Sequence, residues 1–254
     1  MEYSIIFMFG AIIGSFLNVC IYRLPLGKSV VFPRSFCPFC EKQIAWYDNI
    51  PLISFLLLRA KCRNCKAPIA FRYFLVEMLT ALSGIWLLSY YQITPGFFIY
   101  WVFLCSLIVV IFVDIEHQEI PDVISIPGIF IGAALMTIFK LDGSTAYKWS
   151  FLNSLAGILI GGGSMFCLGM LGEFIFKKEA LGGGDVKLMA MIGAFLGWKF
   201  VLLTFFMAPM LGSSVGLFMK IKYKKEIIAY GPYLSMSAIA SLFYGDRILK
   251  YLFG

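Results

Sequence analysis

Long apolar runs alternate with short polar joints along most of the chain. Runs close to the roughly 20 residues that cross a bilayer as helix lie at about 4–22, 73–92, 96–116, 123–140 and 150–176. Further runs at about 185–198, 200–219 and 231–245 follow, the last opening at Tyr230-Gly231-Pro232. The pattern predicts an all-α polytopic membrane protein of about eight transmembrane helices. One long polar segment interrupts it, at 23–72. The reading divides the chain into a first helix (1–22), a tetracysteine loop (23–72) and a helical core (73–254). Met1-Glu2-Tyr3 lacks a basic lead-in, so the first run is expected to stay as a span.

Composition supports this class. Hydrophobic residues make up 61% of the chain and charged ones 14%, against roughly 25% charged in a soluble domain. The net charge of +7 is explained by basic cytoplasmic loops, without nucleic acid. With eight spans and the polar segment inside, inner loops hold sixteen Lys and Arg, including Lys178, Lys220, Lys222, Lys224 and Lys225, and outer loops five. Both termini are then outside. Small residues Gly10, Gly14 and Ser15 in the first span allow close helix contact, and Asn18 calls for a partner inside the bundle.

Two carboxylates stand where apolar runs meet polar ones: Asp114, in Phe112-Val113-Asp114-Ile115-Glu116, and Asp185, in Leu181-Gly182-Gly183-Gly184-Asp185-Val186-Lys187. A charge beside hydrocarbon is costly, which makes each a candidate functional group. The topology carries the third span inward to Asp114 and starts the sixth inward-facing at Asp185. Two aspartates 71 positions apart thus reach the same cytoplasmic depth. In an aspartyl pair one carboxylate deprotonates water while the other, protonated, donates to the scissile carbonyl. Gly182, Gly183 and Gly184 would let backbone approach an extended peptide. The plainer reading makes Asp122 and Asp185 helix N-caps. Asp114 resists it, since an anion near a helix C-terminus opposes the dipole. Lys187 either pairs with an acid or marks the inner interface. Asp114, Glu116, Glu119 and Asp122 form an acidic loop without Lys or Arg, expected to attract a basic substrate segment. His117, the one histidine, reads as a surface residue, and no serine or cysteine nucleophile has a base.

Cys37-Pro38-Phe39-Cys40 and Cys62-Arg63-Asn64-Cys65 are separated by 21 residues. Two such turns can close a tetrahedral four-sulfur zinc site, which leaves no position for substrate and is therefore structural. The alternatives are a redox thiol pair or no metal at all. Cys20, Cys105 and Cys167 fall in spans and read as small packing residues.

Together these stretches resemble the bacterial type IV prepilin peptidases, a GxGD-type aspartyl protease family. The resemblance rests on Gly14-Ser15-Phe16-Leu17-Asn18-Val19, Tyr22-Arg23-Leu24-Pro25, both CxxC turns, Ile50-Pro51 and Val76-Glu77-Met78-Leu79-Thr80. Its most specific parts are Asp114 with Ile120-Pro121-Asp122, and Gly182 to Lys187. It implies Asp114 and Asp185 as the catalytic pair, with Asp122, Gly182, Gly184 and Lys187 supporting. It implies cleavage of a basic leader from prepilins or pilin-like secretion subunits at the cytoplasmic face of the inner membrane. Members with the tetracysteine segment also N-methylate the new terminus, so S-adenosylmethionine is the expected methyl donor. Two departures, Ala60 for a glycine and Phe74 for a proline, bear on the methylation half. The tetracysteine loop argues against a preflagellin or presenilin-like peptidase. A transporter or pilus-assembly scaffold, with acids near the midplane, is the rival of a different class.

Overall fold

A computed structural model describes residues 1–177, 182–223 and 229–253, and their side chains apart from 176, 216–223 and 253. Leu181, Lys178, Lys224 and Lys225 lie outside the described residues, as do the side chains of Lys220 and Lys222. The described chain is helical, and its only extended pairing is two isolated bridges in the cysteine segment. It forms two compact units, 1–109 and 110–254.

The first unit contains α1 (Glu2–Arg23), a 3₁₀ turn (Trp46–Asn49), a short α2 (Ile53–Leu57), α3 (Phe71–Tyr91) and most of α4 (Pro95–His117). Small residues bring α1 and α3 into backbone contact, as the sequence suggests. A Cβ on Gly10 would stand 2.6 Å from the Ala81 Cα, and one on Gly14 2.6 Å from the Glu77 Cα. Asn18, 1% exposed, finds its bundle partner in the carbonyl of Tyr73, to which Nδ2 donates across 3.0 Å.

The second unit takes the end of α4 and adds α5 (Asp122–Phe139), α6 (Tyr147–Phe176), α7 (Gly183–Tyr223) and α8 (Gly231–Phe253). The 41 residues of α7 would extend about 60 Å as one rod, twice a bilayer's hydrocarbon thickness. They do not form one rod, because Gly197 takes φ 75°, ψ 177° in their midst. A Cβ on Gly161 of α6 would lie 2.5 Å from the Met189 carbonyl oxygen and 2.8 Å from Val201 Cγ2. Twelve residues of straight helix would hold those two groups about 18 Å apart. The chain therefore doubles back at Gly197, and α7 is a helical hairpin. Its legs, 183–196 and 198–223, are the separate sixth and seventh spans expected at Gly197-Trp198-Lys199.

Asn153 of α6 fixes the apex. Its Oδ1 accepts the Trp198 N–H across 3.4 Å, and its Nδ2 donates to Asp142 Oδ2 across 3.0 Å. A Cβ on Gly197 would meet the Asn153 amide at 2.7 Å, so this turn requires glycine for space as well as for its positive φ. Six described helices are long and apolar enough to cross a membrane: α1, α3, α4, α5, α6 and α7. With α7 counted as two legs and the 23-residue α8 added, the described helical segments number eight beside the short α2, the number expected from the sequence. This is a multi-pass membrane protein.

Candidate active site and metal centre

Asp114 sits in the last turns of α4, 5% exposed. Its helix is apolar up to this point, so the carboxylate is carried into the packed end of the second unit with few polar neighbours. Gly231, the first residue of α8, supplies one: its N–H donates to Asp114 Oδ2 across 2.8 Å. Asp114 thus satisfies an orphan N–H at the start of another helix, where the dipole favours an anion. The close approach depends on glycine, because a Cβ on Gly231 would lie 2.7 Å from the same oxygen.

Asp185 stands in the first turn of α7, half-buried, its N–H donating to the Gly182 carbonyl across 3.0 Å. Gly184, its neighbour in the chain, and Gly231, which holds Asp114, both pack against Ile120. The structure therefore brings Asp114 and Asp185 into one site. Ile120 forms part of its wall: a Cβ on Gly184 would lie 3.0 Å from the Ile120 Cβ, and one on Gly231 3.3 Å from its Cδ1. Gly182 borders the Asp185 carboxylate, at 3.6 Å from a built Cβ.

Asp122 and Lys187 meet each other. Lys187 Nζ donates to both Asp122 carboxylate oxygens at 2.8 Å, with both side chains well exposed. Pro121, not Asp122, holds the N-cap position of α5, so the capping reading gives way to a link between the α5 and α7 starts. His117 and Glu119 are exposed, as a surface reading requires. Gly231 and Tyr230 are the site residues that motif reading missed, and Ile120, quoted within the Ile120-Pro121-Asp122 motif, had been given no role. The signal available was Tyr230-Gly231-Pro232, legible as a helix start and no more.

The four cysteines form the second centre. Cys37, Cys40, Cys62 and Cys65 place their sulfurs within 4.8 Å of one another. Two matching turns make this possible. The Cys37 carbonyl accepts the Glu41 N–H at 2.8 Å and the Cys62 carbonyl that of Lys66 at 3.0 Å, and Glu41 and Lys66 both take positive φ. The Cys37–Cys65 sulfur separation is 3.8 Å. Tetrahedral bonds of about 2.3 Å require about 3.8 Å, so the donor set fits a zinc-sized ion. The thiols are already poised unequally. Backbone N–H groups of Cys65 and Asn64 hold Cys62 near 7. The Ala67 N–H lowers Cys65, but desolvation and its neighbouring thiols outweigh it and push that group up to about 11. A metal ion held here would bind all four sulfurs as thiolates and release their protons.

Residues 8–92 match the bacterial peptidase A24 N-terminal domain, and residues 101–217 match the type IV leader peptidase family. A prepilin leader peptidase/N-methyltransferase of Aeromonas hydrophila is 30% identical over 98% of this chain and 93% of its own length. The chain belongs to the type IV leader peptidase family. A protein of the same name from Pseudomonas aeruginosa is 32% identical, over 96% of this chain and 90% of its own. One from Myxococcus xanthus is 41% identical over 84% of this chain, and that match spans 62% of the relative's length. No solved structure matches. Within this family fold, the two aspartates lie in the portion matched by the leader peptidase family and the four cysteines in the N-terminal domain.

Proposed function

We propose that this chain is an aspartic endopeptidase that removes the leader from prepilins or pilin-like subunits and then N-methylates the new terminus. The observation that carries the peptidase half is the buried Asp114 carboxylate, held by the Gly231 N–H beside Ile120, against which Gly184, the residue before Asp185, also packs. One aspartate of such a pair takes a proton from water as it attacks the scissile carbonyl. The other gives a proton to the carbonyl oxygen. Gly183, where a Cβ would meet nothing within 4 Å, leaves the approach open for backbone and Gly184 admits Ile120 closely, while Asp122 and Lys187 tie the surrounding helix starts together. The substrate's apolar helix lies in the membrane, and its leader junction unwinds to reach the pair.

In this reading the site opens on the cytoplasmic side of a bacterial inner membrane, and both termini are outside. Residues 1–22 and 23–72 form the anchor and the zinc-bound loop, and 73–254 the peptidase core. Zinc in the four-cysteine centre is structural. S-adenosylmethionine is the co-substrate of methylation, its methyl passing to the freed amine. The relatives' shared name supports both activities.

The test is cleavage of a matched prepilin by purified protein in lipid, comparing the parent with Asp114→Asn and Asp185→Asn. Asparagine keeps size and removes the ionisable acid. Loss of cleavage in both folded variants is expected. Full cleavage by either one ends the aspartyl-pair reading.

A further inference from the structure

The 23–72 segment reads as a polar loop, yet part of it sits between α1 and α3. Leu52 is buried against Ala11 of α1 and Ala81 of α3, with Phe7, Phe74 and Met78 packed around them. Ala81 lies ten residues into α3, about 15 Å from its start, and Ala11 twelve residues before the end of α1, about 18 Å. The Leu52 N–H donates to Glu77 Oε2 across 2.7 Å, and Glu77 is six residues, about 9 Å, into α3. Leu52 therefore lies well below the helix ends that bracket it.

Around Leu52 the chain reads Ile50-Pro51-Leu52-Ile53-Ser54-Phe55-Leu56-Leu57-Leu58, with no charge. Irregular backbone at membrane depth survives only where its polar groups are met from within. Here they are. Ser54 Oγ accepts the Ile50 N–H at 3.1 Å and donates to the Tyr47 carbonyl at 3.0 Å. The N–H groups of Ser54, Leu56 and Leu58 return to Ile50, Leu52 and Ser54. Leu52 itself takes φ 61°, the turning point of the dip, and its N–H has no helical acceptor; Glu77 provides one. This gives a physical reason for a 7%-exposed carboxylate inside α3 that the peptidase chemistry does not use.

On the other side of this dip, Ile53, Leu56 and Leu57 are 54%, 64% and 78% exposed. Aromatic Trp46 precedes them and Arg59, Lys61, Arg63 and Lys66 follow, the order of residues found across a membrane interface. The whole 23–72 segment carries nine Lys and Arg against two acids, Glu41 and Asp48, a charge matched to anionic headgroups.

We propose that residues 50–58 form a re-entrant wedge whose Ile53, Leu56 and Leu57 contact lipid acyl chains, with Glu77 as the buried acceptor that permits the dip. The four-cysteine centre, which begins again at Cys62, is then held against the membrane surface. This assignment is independent of the aspartyl site.

Full-length Leu57→Trp protein in proteoliposomes tests it, its emission taken as the difference from the parent. The added tryptophan is expected to be blue-shifted, to lose emission in acyl-brominated phosphatidylcholine, and to be shielded from iodide. Lys66→Trp gives the water-exposed reference. Ile53→Trp reads the same face if the first variant does not fold. Emission that follows the Lys66→Trp reference overturns the wedge. Glu77→Gln, which keeps an acceptor, should leave lipid quenching intact, and Glu77→Leu should release the added tryptophan to iodide. Lipid quenching unchanged in Glu77→Leu overturns the role given to Glu77.

Discussion

The N–H of Gly231 reaches Asp114 Oδ2 across 2.8 Å, although the two residues are 117 positions apart in the chain. The start of α8 is thereby fixed to the end of α4 at the carboxylate proposed for catalysis. A methyl at position 231 would stand 2.7 Å from that oxygen. Gly231→Ala should therefore displace Asp114 while leaving α8 able to start. The expected loss is on the order of 100-fold in kcat, the scale of a misplacement near 1 Å. Cleavage kinetics alongside a melting curve check it, and kcat at the parent value would show that Asp114 needs no such holder.

The Asp122–Lys187 pair should matter far less. Both side chains are largely solvated, and exposed pairs contribute about 0–1 kcal/mol. Lys187→Gln should lower activity no more than roughly fivefold, the equivalent of about 1 kcal/mol. Raising salt should erase most of the difference from the parent. A loss comparable with Asp185→Asn would instead place Lys187 in the chemistry.

Ala60 stands in the left-handed region at φ 54°, directly after Arg59 at φ 51°. That conformation costs an L-residue roughly 1–2 kcal/mol and glycine almost nothing. Ala60→Gly is expected to stabilise the protein by about 1 kcal/mol, or roughly 2–4 °C in Tm. A lower Tm would mean that the methyl group packs usefully.

Asp142, in the α5–α6 loop, anchors the apex of the α7 hairpin through Asn153. Burial raises its carboxyl, but hydrogen bonds from Ser144, Asn153 and Ser150 outweigh that and hold it below the usual carboxylate range. A depressed folded value means stability that is full above the unfolded value, about 3.9, and lost as pH falls through the folded one. The parent should melt above Asp142→Asn at pH 6, and the gap should close on acidification below about pH 4. A gap independent of pH would show that charge at Asp142 is not what holds the apex.

Cys40→Ser should abolish bound zinc, measured by elemental analysis of the purified protein, without abolishing leader cleavage. A closed four-sulfur site offers no coordination position to a peptide. Loss of cleavage together with zinc, in protein that still melts cooperatively, would tie the cysteine centre to the peptidase.

Much of this was legible because it repeats or punctuates. The two CxxC turns carry the same spacing and fold as matching turns, and the α7 hairpin was marked by Gly197-Trp198-Lys199. Asp114 and Asp185 drew attention because each breaks an apolar pattern. What stayed hidden was made by backbone. The Gly231 N–H has no side-chain signature and comes from a distant helix, and so does the Leu52 N–H that occupies Glu77. Asp122 was ambiguous for a related reason: its partner, Lys187, lies 65 positions away, and local sequence offered a cap as readily.

The pairing of α6 with α7 carries one more consequence. Gly162 lies opposite the Val186 carbonyl, beside Asp185, while a Cβ on Gly163 would meet nothing within 4 Å. From Gly162 to Ile175, α6 runs on for about 20 Å past the level of the aspartate. Phe166, Met170, Leu171, Phe174 and Ile175 along that stretch are exposed. Asp185 thus lies at the foot of an oily bank rather than on open ground. For the peptidase proposed above, a substrate that keeps its apolar helix finds an apolar surface leading to Asp185, and a leader without one finds nothing there to wet.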